Sequence, residues 1–198
     1  MNQNTFEFMR AAVKAEQVAL AALWETMDRK SFETALQYIL DSDLVITTAC
    51  GSSGFAAKKF SHSLCCVNKP AKFVPPSEGV HGGMGALQPN NLLILVSKGG
   101  KTEELLPMAE IARRKGCKTA LVTAKKDSLL AELCDVLLLL PDVPEADRYQ
   151  VMSTASFSAN IAIFDALMMG VMEETGYTDR DFALIHPGGA VGKRIAKP

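Results

Sequence analysis

Two short glycine loops in this sequence carry the residue types that bind a phosphate. Cys50-Gly51-Ser52-Ser53-Gly54 and Ser97-Lys98-Gly99-Gly100-Lys101-Thr102 combine glycines, which turn the backbone and expose its N–H groups, with hydroxyl donors. The second loop adds two lysines, and Thr102 suits the N-cap of a following helix. Each loop follows an apolar run and opens a helical pattern, so the positive end of a helix points at the same place. Neither is a Walker loop, G-x-x-x-x-G-K-[ST], and neither is the dinucleotide fingerprint G-x-G-x-x-G. Taken singly, an ordinary turn with its N-cap accounts for the first loop, and solvated loop charge accounts for the two lysines. The same arrangement at two strand ends favours one shared anion pocket. A third stretch, Ser153-Thr154-Ala155-Ser156-Phe157-Ser158, begins a long apolar segment. Capping explains one of its four hydroxyls, and the others face a ligand or neighbouring backbone.

Proton carriers are few. The chain has 3 histidines: His62, His81 and His186. His62 lies in an amphipathic stretch and reads as a packing residue. His81, in Glu78-Gly79-Val80-His81-Gly82-Gly83, and His186, in His186-Pro187-Gly188-Gly189, are flanked by glycines and have no apolar surface to pack on. An imidazole in such a place can act as acid or base near neutral pH. Glu145 precedes the hydroxyl-rich stretch, and by itself reads as a surface charge. The 5 cysteines, Cys50, Cys65, Cys66, Cys117 and Cys134, match no zinc or C-x-x-C spacing, so reduced, mostly buried thiols are expected. Cys50 is either a reactive thiol beside the loop or a small apolar filler. No metal cluster and no cofactor are indicated.

These residues need elements to hold them. Short apolar or β-branched runs at 44–48, 72–74, 92–96, 119–123 and 136–140 are separated by helical patterns at 55–67, 102–115 and 152–175. Near-continuous apolar runs suit parallel strands covered on both faces. Alternating strand and helix predicts a doubly wound, flavodoxin-like α/β domain with a five-stranded parallel sheet. Its ligands bind beyond the carboxyl ends of the strands, where the loops above lie. Phe8, Ala12, Ala15, Ala19, Ala22 and Trp24 make the first forty residues helical, with a restart signalled by Ser31 and Thr34. One domain is expected over 1–198: a helical segment 1–42, an α/β core 43–177, and a C-terminal helix and tail 178–198.

At 198 residues, 48% hydrophobic and net charge −1, the chain can bury a sizeable core, and no footprint for nucleic acid or an anionic membrane is visible. No apolar run is expected to span a bilayer. The N-terminus, MNQNTFEFMR, lacks the basic-then-apolar order of a secretion signal, so a cytoplasmic location is expected.

Taken in order, the motifs resemble the sugar-isomerase (SIS) family, and within it the arabinose-5-phosphate isomerase branch. The resemblance runs from Asp43 to Ile195. It is carried by Gly51-Ser52-Ser53-Gly54, His81-Gly82, Thr102-Glu103-Glu104-Leu105, Ser153-Thr154, and most specifically by Asp181-Phe182-Ala183-Leu184-Ile185-His186-Pro187-Gly188-Gly189-Ala190-Val191-Gly192. It implies interconversion of arabinose 5-phosphate and ribulose 5-phosphate, which supplies the lipopolysaccharide sugar Kdo. It implies Glu145 as base and His81 and His186 as acid/base or ring-opening groups. Gly51, Ser52, Ser53, Ser97, Lys98, Gly99, Gly100, Thr102 and Ser153 would hold substrate, and Lys101 joins the catalytic set through the exchange described next. A homo-oligomer, a tetramer with shared active sites, is also implied. Family members often carry paired CBS domains after the tail; this chain ends at Pro198, so a stand-alone domain is expected. Three positions depart from the pattern. Ser52 replaces the lysine of G-K-S-G, Lys101 the acid of S-G-E-T, and Gly83 the aspartate of H-G-D. Lys101 or Lys98 supplies the lost charge, or the pocket takes another sugar phosphate, or catalysis is gone and the protein is a sugar-phosphate sensor.

Overall fold

In the computed structural model, residues 4–195 are described. The outermost residues of the expected terminal segments, 1–3 and 196–198, lie outside the described residues. The chain begins with two helices, α1 (Thr5–Thr26) and α2 (Arg29–Asp41). Asp28, rather than Ser31 or Thr34, starts the second: its carboxylate accepts the Ser31 N–H at 2.8 Å. Then follow β1 (Val45–Thr48), α3 (Gly51–Cys66), β2 (Ala71–Phe73), a one-turn α4 (Pro76–Gly79) and β3 (Leu92–Val96). After them come α5 (Leu106–Arg114), β4 (Lys118–Thr123), a one-turn α6 (Leu129–Glu132), β5 (Val136–Leu139), α7 (Ala155–Thr175), α8 (Asp179–Ile185) and α9 (Ala190–Ile195). The C-terminal segment thus holds two helices where one was expected.

All five strands are parallel, in the order β2-β1-β3-β4-β5. This is the predicted doubly wound α/β fold. Strand residues alternate between two cores. Val45, Leu92, Ile94 and Val96 face one side with Phe60, Phe164 and Leu167. Ile46, Leu93 and Leu95 face the other with Leu105, Met108 and Leu121. That alternation is the period-2 consequence of a pleated strand, and burial on both faces is why the runs read as continuously apolar. Phe60 on α3 stacks on Phe164 of α7, centroids 4.3 Å apart. Both rings are fully buried, and each such burial stabilises the fold by about 1.5–3 kcal/mol.

Helix α7 corrects the expectation that no segment could span a bilayer, for by length and composition it is apolar enough to do so. Here it is a core helix, packed by α1, α2 and α3, with Ala159, Ile163, Phe164, Leu167 and Val171 buried. Helix α1 packs on α7 through Ala19 and Leu23. Phe8 and Trp24, read as part of its helical pattern, are exposed.

Candidate functional site

The strand order reverses direction between β1 and β3, which leaves a crevice beyond their carboxyl ends. Cys50, Ser53, Val96, Ser97, Lys98, Gly99, Lys101 and Thr102 line a cavity of about 370 Å³ there. The two predicted loops therefore meet in one site, and its size falls within the range for small-molecule pockets. A second concavity of about 300 Å³, between Cys117, Lys118 and Asp135, lies at the amino ends of β4 and β5 and has neither glycine loop.

Local geometry explains the loop sequences. The Ser97 and Thr102 hydroxyls lie 2.7 Å apart and bridge the second loop. The Gly100 N–H donates to the Ser97 carbonyl at 3.0 Å, and the Ala124 N–H donates to the Lys98 carbonyl at 2.9 Å. Gly100 has φ +64°, and a Cβ there would collide with the Ser128 hydroxyl, so only glycine fits. In the first loop Gly54 is buried, and a Cβ on it would meet the Ala49 carbonyl at 2.9 Å. Its hydrogen side lets α3 start directly against β1. Helix α3 begins at Gly51 without a side-chain cap. Its first-turn N–H groups are free of that competition, as an anion site at a helix N-terminus requires.

The ionisable groups centre on Glu145. Far from being a surface charge, it is buried, with its side chain 4% exposed. Lys98 Nζ donates to Oε1 at 2.6 Å. Oε2 accepts from the Thr154 N–H at 2.9 Å, the Ser156 N–H at 3.2 Å and the Thr154 hydroxyl at 3.2 Å. Glu145 thus caps α7, and Lys98 is an ion-pair partner rather than a solvated loop lysine. Burial works to raise the pKa of Glu145. The bonds from Lys98, Ser156 and Thr154 outweigh it and hold the carboxyl at about 2. Lys101 is exposed on the cavity rim. The Cys50 thiol, on the wall, is pushed up by burial and by the charge of Glu104, which keeps it protonated and argues against a reactive thiolate.

Other expected residues lie elsewhere. Ser52 is exposed on the first turn of α3, and Gly51 beside it is exposed as well. Ser153 shares a hydroxyl contact of 3.1 Å with Ser156, and the Ser158 hydroxyl donates to Glu16 of α1 at 2.6 Å. Most of the serine-rich stretch therefore joins protein to protein. His81 is exposed in the loop after α4 and does not line the cavity. His186 follows α8, stacks on Phe182 with centroids 3.7 Å apart, and also lies off the cavity wall. His62 is exposed rather than packed, beside Cys66 with Nε2 3.5 Å from Sγ. All five cysteines are free thiols, and Cys117 alone among them is buried. Among the described residues no cluster of His, Cys, Asp and Glu could hold a metal ion.

The cavity can take an anion on its hydroxyls and ammonium groups, and one of those ammonium groups, Lys98, is paired with a buried carboxylate. The pattern of the SIS domain family matches residues 38–170. Arabinose 5-phosphate isomerase KpsF of Escherichia coli is 30% identical over 188 residues, covering 94% of this chain and 58% of that protein. The chain spans between 58% and 61% of the length of the first curated relatives it matches. A crystal structure of a Listeria monocytogenes protein, provisionally named a sugar-phosphate isomerase, aligns with a TM-score of 0.91 at 35% identity, covering 95% of this chain and 99% of that one. The structure of an E. coli CFT073 protein in complex with arabinose 5-phosphate aligns with a TM-score of 0.82 at 25% identity, covering 94% of this chain and 100% of that one.

Proposed function

The chain belongs to the SIS domain family, and from this premise we propose that it is a sugar-phosphate aldose–ketose isomerase interconverting arabinose 5-phosphate and ribulose 5-phosphate. The observation that carries this reading is the cavity at the reversal point, where both hydroxyl- and glycine-rich loops meet and one lining residue, Lys98, is ion-paired with the buried Glu145. The phosphoryl group binds Ser53, Ser97 and Thr102 and the N–H groups opening α3, with Lys98 and Lys101 supplying positive charge. Glu145 removes the proton from C2 of the open-chain aldose. The C2–H electrons form a C1–C2 double bond and O1 takes up a proton. The enediol then loses its O2 proton as C1 gains one, which gives the ketose with no net change in atoms or electrons.

His81 and His186 open the ring and shuttle the oxygen-bound protons. Since neither lines the cavity of its own chain, a second copy supplies them across an interface. The exposed apolar stripe Phe6, Met9, Val13, Leu20 and Trp24 on α1 supports such a homo-oligomer, a tetramer in this reading. Free thiols at all five cysteines support a reducing, cytoplasmic compartment. Production of arabinose 5-phosphate assigns the protein to synthesis of the sugar Kdo.

A second reading has one observation in its favour. A carboxylate held at about 2 is a weak base, and the first loop carries Ser52 where the family has lysine, as a non-catalytic sugar-phosphate sensor would allow. One assay separates the two. The protein is incubated with arabinose 5-phosphate, and then with a panel of other pentose and hexose phosphates, in deuterated water. Ketose formation with deuterium incorporated at carbon establishes the isomerase, and the best substrate names the sugar. Tight binding with no conversion of any member establishes the sensor.

A further inference from the structure

Lys98 faces two ways. Its ammonium is ion-paired with Oε1 of Glu145, and the same side chain lines the cavity beside Ser53, Ser97 and Thr102. Its side chain is 37% exposed, whereas that of the glutamate it holds is 4% exposed. The groups facing the Glu145 carboxylate from each neighbouring element are few. The loop after β3 supplies Lys98, and the start of α7 supplies the Thr154 and Ser156 N–H groups. In its own loop Gln150 bonds only the backbone of Glu145. Asp142, on which Lys98 also acts electrostatically, is paired with Lys125 at 2.8 Å. Lys98 is therefore the one cation paired with Glu145 among the described residues, and it is the one charged group of that pair an incoming anion can reach.

We propose that Lys98 is a substrate-released latch: it clamps Glu145 in the empty site and transfers its ammonium to the phosphoryl group of an arriving sugar phosphate, freeing the carboxylate to act as base. A phosphoryl dianion carries more charge than a carboxylate and offers more acceptor oxygens, so it competes well for the same ammonium. Once the pair opens, the largest of the bonds that hold the Glu145 carboxyl down is gone while its burial remains, so its pKa rises and the carboxylate becomes a stronger base. Base strength then appears only when the site is filled, which spares the empty protein a reactive, unpaired carboxylate. This inference rests on the isomerase reading, yet its test does not.

The probe is arabinitol 5-phosphate, a polyol that carries the phosphoryl group but has no carbonyl to isomerise. The Glu145 carboxyl carbon is followed by NMR across pH in ¹³C-glutamate-labelled protein, its resonance assigned from the Glu145→Gln spectrum. In the empty protein it is expected to titrate at about 2. Saturation with arabinitol 5-phosphate is expected to move it upward, toward the ordinary glutamate value of about 4.3. Lys98→Met is expected to raise it without ligand and to abolish the further ligand response. A saturated parent whose Glu145 still titrates at about 2 overturns the latch, as does a folded Lys98→Met protein that titrates there. Should that variant not fold, the titration of the parent decides alone. Failure of arabinitol 5-phosphate to bind overturns both the latch and the isomerase reading. Turnover without the titration shift overturns the latch and leaves the isomerase; the shift without turnover of any sugar phosphate does the reverse.

Discussion

Both oxygens of the Glu145 carboxylate are engaged, one by an ammonium and the other by two N–H groups and a hydroxyl, so its charge is part of what holds the loop after β5 onto α7. Its folded pKa, about 2, lies below the unfolded value of about 4.3. The ionised form therefore contributes stability that is full above the unfolded value and is lost as pH falls toward the folded one. The parent should melt above Glu145→Gln at pH 6, and the gap should close progressively between roughly pH 5 and pH 2. Calorimetric melts of both proteins across that range check this, and a gap that stays constant contradicts it. In the isomerase assay, Glu145→Gln should lower turnover by roughly 10²–10⁴-fold, the usual effect of a positioned acid or base. Lys101 differs from Lys98 in its exposure on the cavity rim, where salt screens it. Lys101→Glu should weaken arabinose 5-phosphate binding, and the loss should shrink as salt rises from low to physiological concentration. Titration calorimetry at two ionic strengths reads this, and equal affinity in parent and variant would make Lys101 a bystander.

Between residues and fold stand the loops, and their glycines set the geometry of the cavity. At Gly100 a side chain meets both a left-handed backbone and the Ser128 hydroxyl. The backbone alone costs about 1–2 kcal/mol for an L-residue, and displacing Ser128 adds roughly 1–3 kcal/mol. Gly100→Ala should lower the melting temperature by roughly 5–15 °C in a domain of this size. A thermal melt decides it, and an unshifted one would mean the loop relaxes freely. These loops were legible because turn residues and apolar strands are local signals. The run at 92–96 is β3 to the residue, while β1 and β2 moved by a residue at their ends. Helix α5 was harder. It begins at Leu106 after a 3-10 turn at Glu103–Leu105, with Pro107 in its first turn, where a missing N–H costs nothing. The pairing of Lys98 with Glu145 spans 47 residues and depends on how the segment after β5 returns across the strand ends. No local pattern encodes that return, and a lone glutamate in a loop looks like a surface charge until its partner arrives. The serines at 153–158 left a ligand and neighbouring protein groups both open, and the folded chain gives the Ser156 N–H to Glu145 and the Ser158 hydroxyl to Glu16, 142 residues away.

For the whole molecule the unspent feature is α1. In sequence its apolar residues look alike; packing onto α7 sorts them into a buried set, Ala19 and Leu23, and an exposed set. Phe6, Met9, Val13, Leu20 and Trp24 fall within about 60° of one another on a helical wheel, apart from the α7 contact, at 100° per residue. Val13 is 72% exposed and Trp24 77%, a density of large apolar side chains that a lone soluble domain seldom presents in one stripe. The stripe also continues the spacing 6, 9, 13, 20, in which positions three and four apart recur as in helices that pair. A second copy laying its own α1 against this one would bury the stripe in an isologous contact, where each residue meets its symmetric counterpart. Because none of these side chains supports the α7 core, Val13→Glu and Trp24→Glu should leave the domain folded and shift it to monomer in sedimentation at micromolar concentration. If His81 and His186 reach a neighbour's cavity through this assembly, the dissociated variants should also lose turnover while Glu145 and both loops stay intact. Sedimentation and turnover measured over a dilution series of the parent should then fall together. Charged stripe variants that sediment like the parent would assign the interface to another surface, and a parent that is monomeric yet fully active would show that one chain suffices for the chemistry.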